Sequence, residues 1–135
     1  MSIFKKLFGD KQDNGPYRSP AQYASSRSGQ LTKAPQTVAL LRNYGVTADR
    51  ELKLEYFFYT NSADKAAALS KSLADLGYEG GYGESAGGRN EFVITGWTSP
   101  MPMDDQTVRE WTGRMCDTGS EHDCEFDGWG TTPEQ

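Results

Sequence analysis

ELKLEYFFYT, residues 51–60, carries the strongest β-strand signal in the chain. Side chains alternate between the two faces of a strand, so this stretch separates into two sets. One set is apolar and predicts a face toward the core: Leu52, Leu54, Tyr56 and Phe58. The other set combines charges with large aromatic rings: Lys53, Glu55, Phe57 and Tyr59. A sheet face of that composition is expected to receive either another segment of the chain or a partner.

Two helices and three further strands are predicted after this stretch. Apolar spacing, caps and turn residues place the helices at 62–77 and 104–119, and the strands at 78–84, 91–98 and 123–129. The resulting order, β-α-β-β-α-β, is the split βαβ pattern. The sequence therefore predicts an α+β fold, a ferredoxin-like βαββαβ sandwich whose four-stranded antiparallel sheet has its first and third strands in the middle. Right-handed crossovers put both helices on one face and leave the other face open.

The chain in front of residue 51 is expected to hold one extra helix and a flexible arm. Residues 35–44 are typical of a short helix, with Pro35 in its first turn and Gly45 placed to end it. The sequence leaves open how much of the open sheet face this helix covers. Residues 1–34 have Gly, Pro and Ser breaks and few apolar residues to bury, so they are expected to be flexible. The predicted division is an arm at 1–34, a single domain at 35–131 and a tail at 132–135. A weak membrane or partner anchor stays open at the tip of the arm, where apolar residues have helical spacing: Ile3, Phe4, Leu7 and Phe8.

The net charge of −5 conceals a gradient along the chain. Lys and Arg exceed Asp and Glu by five in residues 1–50, whereas the acids are in excess by three in residues 51–103 and by seven in residues 104–135. An acidic folded part argues against direct binding to nucleic acid, because contact with phosphate needs a basic face. The same charge favours a cationic partner surface, and it also keeps a small domain soluble.

No pattern in the sequence supports a metal, a cofactor or a catalytic residue. Residues 81–86, GYGESA, match the relaxed dinucleotide pattern G-x-G-x-x-A, but a strand follows where that pattern needs a helix. Cys116, His122 and Cys124 lack the paired spacings of zinc ligands, and inward-facing cysteines act as small apolar fillers. No Ser or Cys stands in a nucleophile setting. The sequence therefore predicts a protein that is not an enzyme.

Six residues form the predicted partner-binding patch on the open face of the sheet. By alternation along three strands they are Phe57, Tyr59, Trp97, Glu125, Asp127 and Trp129. Acids beside aromatic rings suit an arginine-rich surface through ion pairs and cation–π contacts. An alternative stays open at Trp129, because the glycines on either side allow a bulge that turns the indole back onto the sheet.

The end of the chain resembles a known protein family. EFDGWGT, residues 125–131, is similar to the C-terminal signature of the regulator of ribonuclease activity B family, with DGWGT as its most specific part. LEYFFYT at residues 54–60 and NSADKAAALSKSLADLGYE at residues 61–79 resemble the layout of the same family, so the likeness spans residues 36–131. The resemblance implies a ferredoxin-like fold. It also implies a non-enzymatic cytoplasmic protein that binds ribonuclease E, restrains it and alters RNA turnover.

Patch, charge and resemblance together predict a protein-binding regulator of a ribonuclease. A cytoplasmic location is expected, since no apolar run approaches the about 20 residues of a membrane span and the start lacks a secretory signal. A direct single-stranded RNA-binding module stays open as an alternative, because RNA-recognition domains stack bases on aromatics placed like Phe57, Tyr59 and Trp97. The basic and glycine residues of that RNA motif are absent. A small-molecule-binding or self-associating ferredoxin-like domain is the third class.

Overall fold

The computed structural model describes residues 15–87 and 90–135 of the chain. Three helices lie in these residues, and they are α1 (Pro20–Asn43), α2 (Ala63–Asp75) and α3 (Asp105–Glu121). The strands in the same residues are β1 (Glu51–Leu52), β2 (Glu55–Thr60), β3 (Glu79–Glu84), β4 (Phe92–Trp97), β5 (Met101–Pro102) and β6 (Glu125–Gly130). Helices and antiparallel sheets together confirm the predicted α+β class.

The two expectations about membranes have different outcomes. The apolar residues at the tip of the predicted arm, Ile3, Phe4, Leu7 and Phe8, lie outside the described residues. Among the residues that are described, no helix is both long enough and apolar enough to cross a membrane.

β2 lies in the interior of the main sheet. It pairs antiparallel with β4 on one side and with β6 on the other, and β3 joins beyond β4 to give the order β3-β4-β2-β6. The alternation predicted for residues 51–60 is present along that whole stretch, because every second residue from Leu52 to Thr60 is buried. The first two residues of the stretch, which form β1, are not part of the main sheet, because β1 pairs with β5.

The core fills the space between the main sheet and helices α2 and α3. Phe58 lies in its middle, with its ring centroid 5.9 Å from that of Tyr56 and 5.0 Å from that of Phe126. Trp111 of α3 packs edge-on against Phe126 at 5.9 Å. Gly119 lets the last turn of α3 approach closely, because a Cβ atom there would lie 2.8 Å from a ring carbon of Phe58. Each buried aromatic ring of this kind stabilises the fold by about 1.5–3 kcal/mol, and together they hold both helices on one face of the sheet.

Helix α1 begins at Pro20 and not at residue 35, as the sequence pattern predicted. Ser19 accepts a hydrogen bond from the N–H of Gln22 at 3.1 Å, and the Gln22 side chain accepts one from the Ser19 N–H at 2.8 Å. This reciprocal capping box, with proline at the first helical position, is a strong helix start. Pro35 lies inside the helix. Residues 20–34 are therefore helical, and the part of the prediction that placed them in a flexible arm is wrong.

Helix α1 runs antiparallel to α3 on the helix side of the sheet. Near its start Arg27 forms an ion pair with Asp117 at 2.8 Å, and near its end Arg42 donates to the carbonyl of Met103 at 2.7 Å. Its buried residues, Ala34, Val38 and Leu41, join the main core. Its main packing partners are α3 and the edge strand β6. The extra helix therefore flanks α3 and β6 and does not lie across the opposite face of the sheet.

Candidate functional site

The face of the sheet opposite α2 and α3, which we call the open face, carries the mixed acidic and aromatic side of β2. The register of the four strands assigns its residues, which are Glu79, Gly81 and Gly83 of β3, Val93, Thr95 and Trp97 of β4, Glu55, Phe57 and Tyr59 of β2, and Glu125, Gly128 and Gly130 of β6. The three aromatic rings are neither fully buried nor fully exposed. None of them belongs to the core cluster. Four of the six predicted contact residues, Phe57, Tyr59, Trp97 and Glu125, are thus on one surface.

Two acids flank Trp97 at one end of the open face. Cross-strand pairing places Glu55 of β2 and Glu79 of β3 directly beside it. Directly paired side chains in a sheet have Cβ atoms about 4.5–5.5 Å apart. A guanidinium group placed above this row would meet an aromatic ring and two carboxylates at once, and both kinds of contact favour a cation.

The other end of the open face is in contact with residues just in front of α1. Arg18 forms an ion pair with Glu125 at 3.1 Å, and its guanidinium carbon lies 4.0 Å from the centre of the Tyr17 ring. Tyr17 donates a hydrogen bond from its hydroxyl to Glu91 at 3.0 Å. Burial, and then this hydrogen bond, raise the pKa of Tyr17 to about 12. Glu125, predicted as a contact for a partner's arginine, therefore already holds an arginine of its own chain.

Asp123 connects the same N-terminal segment to the domain. Its carboxylate accepts hydrogen bonds from Lys65 Nζ at 2.6 Å, from the Tyr23 hydroxyl at 2.7 Å and from the Tyr17 N–H at 2.8 Å. Burial acts to raise the pKa of Asp123, but these three hydrogen bonds outweigh it and lower the pKa below its ordinary value. Asp123 precedes β6 and has a positive φ of 56°, so it is not part of the final strand as predicted.

Trp129 does not lie on the open face, and its predicted place there is wrong. Phe58 pairs with Phe126 whereas Phe57 pairs with Gly128, so Asp127 is an extra residue in β6. This bulge shifts the alternation by one, and Trp129 turns to the helix side. Its ring centroid lies 6.2 Å from that of Trp111 at an interplanar angle of 81°. The alternative that the sequence left open, an indole turned back onto the sheet, is the one observed.

Asp127 is exposed at the bulge and lies between two surfaces. On one side it lines a groove of about 610 Å³ together with Tyr17, Arg18, Tyr59, Glu91 and Glu125. On the other side it lines a smaller groove beside α1, together with Gln30, Lys33, Thr37 and Trp129. Asp127 is therefore accessible from the open face, although it is not in a regular strand position.

Sequence reasoning missed the residues of the N-terminal segment, above all Tyr17 and Arg18. It treated Ser19-Pro20 as a break, although Ser19, Pro20 and Gln22 form the signature of a helix start. With the start of α1 placed there, residues 15–19 are a short segment in front of the helix, and this segment must run beside the domain. No local signal indicates that this segment crosses the end of the sheet, because its contacts, such as that of Arg18 with Glu125, join residues 107 positions apart.

The cysteines and the histidine have structural contacts. Cys116 and Cys124 are buried, and burial raises the pKa of their thiols to about 11 and about 12 respectively. Both thiols therefore stay protonated near neutral pH. His122 lies at the C-cap of α3, where its Nε2 is 3.1 Å from the hydroxyl of Ser72. In the part of the chain that the structure describes, no group of three or more His, Cys, Asp or Glu side chains is placed to hold a metal ion.

The chain matches the model of a known protein family. The family model described as regulator of ribonuclease activity B matches residues 33–131, about three quarters of the chain. The match covers the last part of α1, the main sheet, α2 and α3. No curated protein matches the chain at a significant level.

Proposed function

The chain belongs to the regulator of ribonuclease activity B family, and on that basis we propose that it is a non-enzymatic protein that restrains a ribonuclease through the open face of its sheet. The family description identifies regulators of ribonuclease activity, so the partner is a protein. In this proposal the partner is a ribonuclease of the ribonuclease E kind, and the contact is made in the cytoplasm by a cationic, arginine-rich segment. The effect on the cell is a change in RNA turnover.

The row of Trp97 between Glu55 and Glu79 is the observation that carries this proposal. A half-exposed aromatic ring gives the fold less stabilisation than a buried one, because the stabilisation comes from the area that is buried. Trp97 therefore keeps apolar area that a partner can bury. Interfaces concentrate their binding energy in a few such anchors, and arginine is enriched among the groups that meet them. The net charge of −5 adds long-range attraction toward a cationic partner.

The contact of Arg18 supports the same chemistry from within the chain. Its guanidinium is held by the carboxylate of Glu125 and by the face of the Tyr17 ring. A partner's arginine on the open face would meet the same two kinds of group. This end of the face thus provides an example of the contact proposed for the Trp97 row.

We also infer that the domain is a ferredoxin-like sandwich. The main-sheet elements follow one another as β2-α2-β3-β4-α3-β6, the split βαβ pattern. The spatial order β3-β4-β2-β6 places the first and third of these strands in the middle, which supports the assignment.

The test is a binding and inhibition assay with purified ribonuclease E and two charge-reversal variants. Glu55→Lys puts a cation beside Trp97 and is expected to weaken binding at least about tenfold, since like charges at an interface cost about 1.4 kcal/mol or more. Glu110→Lys is the matched control, because it makes the same charge change at an exposed position of α3 on the other side of the sheet. It is expected to bind within about twofold of the unchanged protein.

Equal losses in the two variants would mean that only net charge matters, and an unchanged Glu55→Lys would remove the open face from the proposal. Titration with single-stranded RNA in the same buffers separates the alternative function. Strong binding of RNA that weakens steeply with salt would favour an RNA-binding module instead.

A further inference from the structure

Strand β3, residues Glu79–Glu84, forms an edge of the main sheet. It pairs with β4 over all six residues without a register shift, and no other strand in the described residues pairs with its outer side. Proteins commonly protect such edges with proline, lysine, a bulge or a covering segment. The sequence of β3, EGGYGE, contains neither proline nor lysine.

The outward hydrogen-bonding groups of this edge can be assigned from the pairing. Ser85 donates its N–H to the carbonyl of Glu91 at 2.8 Å, just beyond the last strand pair. Because hydrogen-bonded and non-hydrogen-bonded pairs alternate in an antiparallel sheet, Gly81 and Gly83 bond to β4. The backbone N–H and C=O groups that point away from the sheet are then those of Gly80, Tyr82 and Glu84.

Two glycines of β3 have no packing reason to be glycine. A Cβ atom on Gly80 would lie 2.7 Å from the Tyr56 hydroxyl oxygen, so this position has no room for a side chain. A Cβ atom on Gly81 or Gly83 would meet nothing within 4 Å, and neither residue has a positive φ. Glycine inside a strand costs about 0.5–1 kcal/mol relative to alanine. In strands it often marks a place where another backbone approaches closely.

The charges at the ends of β3 decide what kind of segment fits this edge. Glu79 and Glu84 are exposed, and Tyr82 between them keeps 49% of its surface accessible. A second copy of the chain can pair antiparallel with this edge only if outward residues stand opposite each other, Gly80 with Glu84 and Tyr82 with Tyr82, and that pairing sets no cation opposite either acid. A segment with Lys or Arg at both ends instead pairs each acid with a cation.

From the edge, the glycines and the acids, we propose that β3 binds an extended basic segment of a partner protein, which adds to the sheet as a fifth strand. The segment runs antiparallel to β3, with a basic residue opposite Glu79 and another opposite Glu84, five positions apart. Its two large side chains opposite Gly81 and Gly83 lie over the space that those glycines leave on the open face. Main-chain hydrogen bonds supply affinity, and the alternate side chains supply specificity, as in other cases of strand addition.

The edge proposal does not rest on the identity of the partner as a ribonuclease. The two sites share Glu79, but the Trp97 row is contacted by side chains from above the sheet, whereas the edge is contacted through the backbone of β3. Glu55→Lys tests the first and amide exchange at β3 tests the second, so the failure of one is distinguishable from the failure of the other.

The experiment is amide hydrogen exchange by NMR on the full chain, with the peptide acetyl-RYVYVR-amide as probe. Saturating peptide is expected to slow exchange at least about tenfold at the outward amides of Gly80, Tyr82 and Glu84. The inward amides of Gly81 and Gly83 serve as internal controls and are expected to change little. The charge-reversed peptide acetyl-EYVYVE-amide is expected to protect none of them.

A pair of variants checks that the backbone is responsible. Tyr82→Pro removes one outward N–H without removing a bond to β4 and is expected to abolish protection by the basic peptide. Tyr82→Thr keeps the N–H and is expected to retain protection. The proposal is overturned if the basic peptide gives no protection, if both peptides protect equally, or if protection appears with protein concentration alone.

Discussion

A single side chain, that of Asp123, joins three parts of the chain that are far apart in sequence. Its carboxylate joins Lys65 of α2, Tyr23 of α1 and the backbone of Tyr17 at the end of the sheet. It stands three quarters buried in this network, so each hydrogen bond is made by an ionised group partly withdrawn from water. Loss of the charge therefore affects the docking of the N-terminal segment and the stability of the domain together.

The lowered pKa of Asp123 predicts how stability depends on pH. Because the folded-state pKa lies below the unfolded value of about 3.9, the ionised carboxylate stabilises the fold above about pH 4, and this contribution is lost as pH falls through the lowered pKa. Asp123→Asn is expected to lower the free energy of unfolding by about 2 kcal/mol at pH 7, and by less below pH 3. Urea unfolding at the two pH values measures the difference. A constant difference would show that the charge is not involved.

A substitution at Thr95 on the open face is expected to stabilise the fold. Its hydroxyl oxygen is buried and has no hydrogen-bond partner among the described residues. A buried polar group without a partner costs about 1–3 kcal/mol, and valine has the same shape without the hydroxyl. Thr95→Val is expected to raise the free energy of unfolding by about 1 kcal/mol in urea titrations. Thr112→Val is the control, because the Thr112 hydroxyl donates to the Val108 carbonyl at 2.7 Å and is satisfied. A larger gain at Thr112 would contradict the explanation.

At the scale of elements, strand β6 departs most from a simple sequence pattern. The DGWGT run has the composition of a strand end with glycines on both sides of a tryptophan. In the structure the extra residue, Asp127, changes the face on which Trp129 lies. The bulge depends on Gly128, whose φ is +116°, a value that residues with a side chain rarely adopt.

The same substitution is therefore expected to have a large effect at one glycine of β6 and a small effect at the other. Gly128→Ala is expected to lower the free energy of unfolding by about 1–3 kcal/mol, because the positive φ strains any residue with a Cβ atom. Gly130→Ala is expected to change it by less than about 0.5 kcal/mol, since that φ is ordinary and a Cβ atom meets nothing within 4 Å. Thermal and urea unfolding measure both. Equal effects of the two substitutions would mean that the bulge is not held by Gly128.

Helix α1 illustrates the opposite case, in which the element was predicted but its length was not. Val38 and Leu41, on its buried side, are apolar residues three positions apart, a spacing that predicts a helix. The first half of α1 has fewer apolar residues and is held mainly by its capping box and by contacts such as Arg27 with Asp117. Such contacts with other elements are not visible in a local pattern, because helices of this length depend on tertiary packing more than on propensity.

At the scale of the whole molecule, the charge gradient along the chain becomes an arrangement in space. The acidic C-terminal part contributes Glu125 and Asp123, and the N-terminal part sets Arg18 against Glu125 and the Tyr17 N–H against Asp123. The chain thus neutralises part of its own acidic face. The acids Glu55 and Glu79 at the other end of the face form none of the ion pairs seen in the described residues.

This arrangement predicts that Arg18 competes with a cationic partner. Arg18→Ala is expected to tighten binding of the basic partner about two- to fivefold. A partly exposed ion pair contributes about 0.5–1 kcal/mol, which corresponds to that change in affinity. Arg27→Ala is the matched control, because it removes the same charge from the ion pair with Asp117 between α1 and α3. Calorimetric titration at constant ionic strength measures both affinities. An equal gain in the two variants would indicate a net-charge effect, and a loss at Arg18 would place it among the partner contacts.

Local sequence patterns were enough to predict the alternation of residues 51–60, the order of the helices and main-sheet strands after it, the α+β class and the family, but not the short pair of strands β1 and β5. These follow from local periodicity and from short motifs, which residues close in the chain are enough to set. The face of Trp129 and the ion pair of Arg18 with Glu125 became visible in the folded chain alone, whereas the start of α1 at Pro20 has a local capping signal that the pattern of breaks obscured. The physical reason is that one inserted residue inverts a strand's alternation, and that contacts between the two ends of the chain exist only after the sheet has brought those ends together.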